Sequence, residues 1–83
     1  MKIKCGRKEF EVNSKDVIMD NGDCYQLITQ KIRKGYYDYN PQIAKNVFKS
    51  LLKAGKIYKT DMKYKNAFGV ISESIVLYKF VDD

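Results

Sequence analysis

The sequence predicts an α+β fold: a small antiparallel β-sheet of hairpins with one main amphipathic helix packed against it. Short segments that alternate apolar and polar residues are separated by glycine turns, which is typical of hairpins. One longer segment, residues 40–55, instead has apolar residues at helical spacing. The chain has 83 residues, of which 45% are hydrophobic, so we expect a single domain over 1–83.

Two hairpins are predicted in the N-terminal part. Residues 2–5 and 8–12 alternate apolar and charged residues on either side of Gly6-Arg7, where glycine fits a type II′ turn. Residues 17–19 form the next strand, which is followed by Asn21-Gly22, a strong hairpin-turn pattern. The segment after this turn is the expected return strand.

That segment, residues 24–32, fits two structures. Its aromatic and β-branched residues favour a strand, and Asn-Gly fixes the turn before it. Its apolar residues also recur at helical spacing, Asp23 and Gln26 form a capping box, and Gly35 could end a helix. We favour the strand. A helix here would form a helix-turn-helix with the helix that follows.

The main helix is predicted between Asn40 as the N-cap, Pro41 at the first helical position and Gly55 at its end. Its apolar residues should face the core. They fall on one line (Ile43, Val47, Leu51 and Ala54) with others beside it (Ala44, Phe48 and Leu52).

A second antiparallel pair follows the helix. Residues 56–62 and 70–81 are the predicted strands, and residues 63–69 connect them. Residues 75–78 are apolar on both faces, so the last strand should be central in the sheet or covered by the helix.

The charge of the chain is concentrated in one region. Residues 31–65 contain ten Lys or Arg and two Asp, a net charge of +8, whereas the rest of the chain has −2. A basic surface of this kind suits a polyanionic partner, although lysines on a solvated face would give the same composition.

The helix has a polar face made of lysines and amides. Lys45, Lys49 and Lys53 recur every four residues without a carboxylate in the helix, so we expect them to contact phosphates. Gln42 and Asn46, predicted near the exposed start of the helix, are candidates for reading bases.

Aromatic residues alternate with cations on both sides of the helix, a pattern that allows bases to stack while cations hold the backbone. Tyrosine rings also pack in cores, which we expect for Tyr25, Tyr58 and Tyr78. Outside the helix, the predicted nucleic-acid-binding residues are Arg33, Lys34, Tyr36, Tyr37, Lys59, Lys63 and Lys65.

Residues 43–58, with Val47-Phe48 and then 51–57 in the order Leu-Leu-Lys-Ala-Gly-Lys-Ile, resemble the recognition helix and first wing strand of winged-helix DNA-binding domains. The resemblance implies that Gln42, Lys45, Asn46 and Lys49 lie at the major groove and that Lys59, Lys63 and Lys65 lie on the wing. The family normally has two helices before this one, whereas the preceding segments here are predicted mostly as strands.

Other classes of function find little support in the sequence. Without histidine, and with only Cys5 and Cys24 as soft ligands, the chain offers neither a metal site nor an evident catalytic group, and no cofactor motif is present. We expect no enzyme, no membrane span and a cytoplasmic protein with free thiols.

The sequence therefore predicts a small basic protein that binds nucleic acid without catalysis. The alternative is a protein-interaction module, such as an adaptor or an inhibitor of a nucleic-acid enzyme, that docks on an acidic protein.

Overall fold

The computed structural model describes residues 1–29, 41–65 and 68–81. The candidate site residues Arg33, Lys34, Tyr36 and Tyr37 and the predicted cap Asn40 lie outside the described residues. The described elements are β1 (Lys2–Cys5), β2 (Lys8–Glu11), β3 (Val17–Asp20), β4 (Tyr25–Ile28), β5 (Gln42–Ile43), α1 (Lys45–Lys53), β6 (Ile57–Lys59), β7 (Tyr64–Lys65), β8 (Ile71–Ser72) and β9 (Val76–Phe80).

A five-stranded antiparallel sheet forms the centre of the fold, with the strand order β5-β4-β3-β9-β6. The hairpins β1–β2 and β7–β8 are separate two-stranded sheets. The predicted fold class is confirmed. The last strand, β9, lies inside the sheet between β3 and β6, as its apolar residues on both faces predicted.

Each face of the sheet has its own apolar cluster. Residues directly opposite each other in neighbouring strands share a face. Ile18 is opposite Leu27 and Tyr78, on the face that packs against α1 and the β1–β2 hairpin. The second face has a smaller cluster of Val17, Met19, Ile28 and Leu77, and Tyr64 of β7 packs against it.

The segment after the Asn-Gly turn is a strand over Tyr25–Ile28, which confirms the favoured interpretation for these residues. The Asn21 Oδ1 atom accepts hydrogen bonds from the backbone N–H groups of Asp23 and Cys24, at 3.0 and 2.9 Å. β4 then pairs with β3 on one side and β5 on the other. Because the backbone of this segment is hydrogen-bonded to a strand on each side, it does not form a helix. The alternative prediction, a helix-turn-helix that includes these residues, is therefore wrong.

The predicted start of the helix is also wrong. α1 begins at Lys45, and its N-cap is Ala44, which has an extended backbone with φ −62° and ψ 144°. Gln42 and Ile43 belong to β5, and the carbonyl of Pro41 accepts a hydrogen bond from the N–H of Leu27 at 2.9 Å. The residues that were predicted to form the first turn of the helix therefore pair with β4 instead.

The buried face of α1 is narrower than predicted. Phe48 is 4% exposed, and its ring stacks on Tyr25 at 3.9 Å between centroids and meets Tyr78 edge-on at 4.9 Å. Val47 and Leu51 are half-buried beside it, whereas Leu52 is 42% exposed. The exposed residues Ala44, Leu52 and Ala54 were wrongly predicted to face the core. Tyr58 was likewise expected to pack its ring but is 49% exposed.

The end of α1 matches the prediction. Gly55 has a φ of +72°, and the N–H groups of Gly55 and Lys56 donate to the carbonyls of Leu52 and Leu51, at 3.1 and 2.9 Å. This is the Schellman arrangement, in which a left-handed residue closes the helix.

We expect Gly55→Ala to lower the free energy of unfolding by about 1–2 kcal/mol, the usual cost of a left-handed backbone in a residue with a Cβ. A Cβ at this position would meet no atom within 4 Å, so the cost comes from the backbone alone. Urea denaturation measures the effect, with Lys56→Ala, at the next and exposed position, as the control. Equal stability of the two variants would contradict the assignment of this helix end.

Candidate nucleic-acid interface

The lysine row of α1, defined as Lys45, Lys49 and Lys53, is exposed along its whole length. Its members are four residues apart, and four residues of helix rise about 6 Å. Among the described residues, the two ion pairs join the N-terminal amine to Glu11 and Lys63 to Glu73, so none involves the row. The row therefore presents three uncompensated positive charges to solvent.

Lys59 lies on the same side of the sheet as the lysine row. It is opposite Tyr78, whose ring contacts Phe48 of α1, and its side chain is exposed. Lys56, which was not among the predicted binding residues, is exposed in the turn between α1 and β6. Its position directly after the glycine that ends the helix was the pattern that could have identified it.

The other two predicted lysines of the wing lie elsewhere. The β7–β8 hairpin lies over the second face of the sheet, because Tyr64 packs against the cluster there. Lys65 is an exposed residue of this hairpin. The Lys63 Nζ atom donates to the Glu73 Oε2 atom at 2.8 Å, and this partner raises the pKa of Lys63. The structure thus separates Lys63 and Lys65 from the lysine row.

The two candidate amides are separated as well. Gln42 is exposed in β5 opposite Gln26, which shares the second face with Met19. The prediction that Gln42 lies on the helix is therefore wrong. Asn46 is exposed in the first turn of α1, on the first face. The two amides do not form one base-reading surface on the helix.

A groove that the sequence did not predict runs between β1 and α1. Its volume is about 310 Å³. Lysines and small polar residues alternate with apolar residues along its walls, which are formed by Lys2, Ile3, Lys4, Asn46, Val47, Ser50 and Leu51.

The described part of the chain has no cluster of three or more His, Cys, Asp or Glu side chains that could hold a metal ion. Cys5 and Cys24 are both free thiols, and burial raises the pKa of Cys5. Within the same residues, α1 is too short and too polar to cross a membrane.

Compared with known proteins, the chain matches no family model, no curated protein and no solved structure. In the described residues, the arrangement that corresponds to the winged-helix resemblance is local: α1 runs through a glycine turn into β6, a strand paired with β9. The segment 25–28, where that family would have a helix, is a strand.

Proposed function

We propose that the protein binds nucleic acid without catalysis and that the lysine row contacts phosphates. The observation that best supports this function is the row itself: three exposed lysines, spaced one turn apart on a helix that has no acidic residue in its first turn. Lys59 extends the positive charge from the helix to the neighbouring strand β6.

Electrostatics favours an anionic partner for this surface. Residues 41–65 contain seven lysines and one carboxylate, Asp61. Like charges four residues apart on a helix repel each other by about 0.2–0.5 kcal/mol per pair, and bound phosphates would relieve that repulsion. Contacts of this kind position a protein on the backbone but do not specify bases.

One observation favours the alternative, an acidic protein as the partner. Leu52 is 42% exposed and is an i+3 neighbour of Lys49 on the helix surface. An apolar side chain beside cations can be buried against another protein, whereas phosphates give it no contact. The same lysine row would then pair with carboxylates of an adaptor target or of a nucleic-acid enzyme.

A salt series with labelled duplex DNA, single-stranded DNA and single-stranded RNA tests the proposed function. Three lysines of the row, with one or two neighbouring lysines, should give a slope of log affinity against log salt of about −3 to −5 on duplex DNA, since each phosphate contact contributes about −0.9. If neither DNA nor RNA binds at about 20 mM salt, where screening is weak, the proposed function is wrong. An acidic protein partner would then be the remaining proposal.

A further inference from the structure

One edge of β1 has no hydrogen-bonded strand beside it in the described residues, and β5 lies close to β1 without pairing with it. The N–H of Val12 donates to the carbonyl of Met1 at 2.8 Å, and the Met1 amine donates to the carbonyl of Val12 at 3.3 Å. Because bonded and non-bonded pairs alternate along an antiparallel ladder, Lys2 and Lys4 are at non-bonded positions. Their N–H and C=O groups therefore point away from β2.

This free edge borders the groove between β1 and α1. Ile3, which is 4% exposed, lines the groove on the β1 side. The half-buried Val47 and Leu51 line it on the α1 side. A strand added to β1 would lie about 4.8 Å away, in the space between β1 and the helix.

The side chains along β1 specify what such a strand should contain. A residue opposite Ile3 would point towards Val47 and Leu51 and should be apolar. The residues on either side of it would point outwards with Lys2 and Lys4 and should be acidic. Glu9 and Glu11 lie opposite these lysines on β2, yet Glu11 binds the N-terminal amine, and neither forms an ion pair with Lys2 or Lys4 in the described structure.

We propose that the free edge of β1 binds an extended segment of a partner protein, in which acidic and apolar residues alternate, as an added β-strand. The backbone would supply most of the binding and the alternate side chains the specificity. This interaction surface is distinct from the lysine row and goes beyond nucleic-acid binding.

The backbone and charge of β1 favour a peptide over other occupants. The free edge of β1 presents alternating N–H donors and C=O acceptors. A phosphodiester backbone has only acceptors, so it cannot pair with the C=O groups. A second copy of the chain, paired antiparallel through β1, would bring Lys2 and Lys4 opposite lysines, which is destabilising. An acidic peptide has both backbone donors and acceptors, and it places negative charges opposite Lys2 and Lys4.

The test uses a fluorescein-labelled peptide of about eight residues that alternates Glu and Val, a usual strand length. Fluorescence anisotropy should show saturable binding to the wild type. Lys4→Pro removes one outward donor without removing a β1–β2 ladder bond, and it should weaken binding by about tenfold or more. Glu9→Pro is the matched control, because Glu9 lies directly opposite Lys4 and its N–H points to the other edge of the hairpin. Circular dichroism verifies that both variants are folded.

A charge reversal tests the proposal without proline. Lys2→Glu combined with Lys4→Glu changes two exposed side chains, and it should abolish binding of the Glu/Val peptide and create binding of a Lys/Val peptide. Hydrogen exchange at the amides of Lys2 and Lys4 should slow when the peptide binds to the wild type. Replacing the lysine row by Gln should leave peptide binding unchanged, which separates this proposal from the proposed function.

Four results would overturn the proposal. The first is no binding of the Glu/Val peptide to the wild type, and the second is equal weakening by Lys4→Pro and Glu9→Pro. The third is displacement of the peptide by an oligonucleotide of equal charge from the variant whose lysine row is replaced by Gln, which would indicate a nucleic acid in the groove. The fourth is a dimer in sedimentation that Lys4→Pro dissociates, which would indicate a second copy.

Discussion

Phe48→Ala is expected to lower the free energy of unfolding by about 3–5 kcal/mol, the usual cost of truncating a buried phenylalanine. The ring lies between Tyr25 and Tyr78 and joins α1 to two strands of the central sheet. Its removal would leave a cavity beneath the helix. Small domains are stable by only about 5–15 kcal/mol, so a loss of this size threatens folding.

Urea denaturation of a series along α1 measures this effect. Helical spacing predicts that Leu51 faces the core, and Leu51→Ala at a fully buried position would cost about 2–5 kcal/mol. Because Leu51 is half-buried, the structure places its cost below that of Phe48→Ala. Leu52→Ala, at an exposed position, should change stability by less than about 0.5 kcal/mol. A Phe48→Ala variant no less stable than Leu52→Ala would contradict the packing of α1 on the sheet.

Replacing Lys45, Lys49 and Lys53 together by Gln should weaken nucleic-acid binding by about two to three orders of magnitude at about 0.1 M salt. Each lysine that no longer contacts a phosphate lowers the number of counterions released on binding. The slope of log affinity against log salt should therefore also become shallower by about 2 to 3 units. The loss should be the same for all sequences, since phosphate contacts do not distinguish bases. Anisotropy titrations with two unrelated duplexes measure both quantities.

A charge-matched variant distinguishes the effect of lost phosphate contacts from the effect of lower net charge. Arg7, Lys8 and Lys15 are exposed on and beside the β1–β2 hairpin, outside the lysine row. Changing all three to Gln removes the same charge and should alter the slope by less than about 1 unit. If both triple variants weaken binding equally, the row is not the contact surface and only the net charge matters. Asn46→Ala should change sequence preference only if this amide reads bases.

Local chemistry was sufficient for several features of the fold. Asn21-Gly22 predicted the β3–β4 turn because the Asn21 side chain itself bonds the turn backbone. Gly55 predicted the end of α1 because the turn after the helix requires a positive φ. These predictions depend on interactions between residues close together in the chain.

Predictions that depended on distant residues were less accurate. Pro41 and Gln42 have the composition of a helix start, yet β4 takes this segment as its neighbour in the sheet. Leu52 has the spacing of a core residue, but the aromatic contacts of Phe48 set the rotation of the helix and leave Leu52 exposed. Helical periodicity identifies an apolar side but does not specify which residue at its margin is covered.

The sequence by itself determined the α+β class, the hairpin at Asn21-Gly22, the end of the helix and the spacing of the lysine row, because each depends on neighbouring residues. Only the tertiary structure decided where the helix begins, which residues of its apolar side are buried, and how the basic residues are distributed. Lys59 lies on the face of the sheet that packs against α1, whereas Lys65 lies on the β7–β8 hairpin over the second face and Lys63 directly precedes that hairpin. The physical reason is that strand pairing and the two-sided packing of the sheet bring together residues far apart in the chain, and no local pattern specifies those partners.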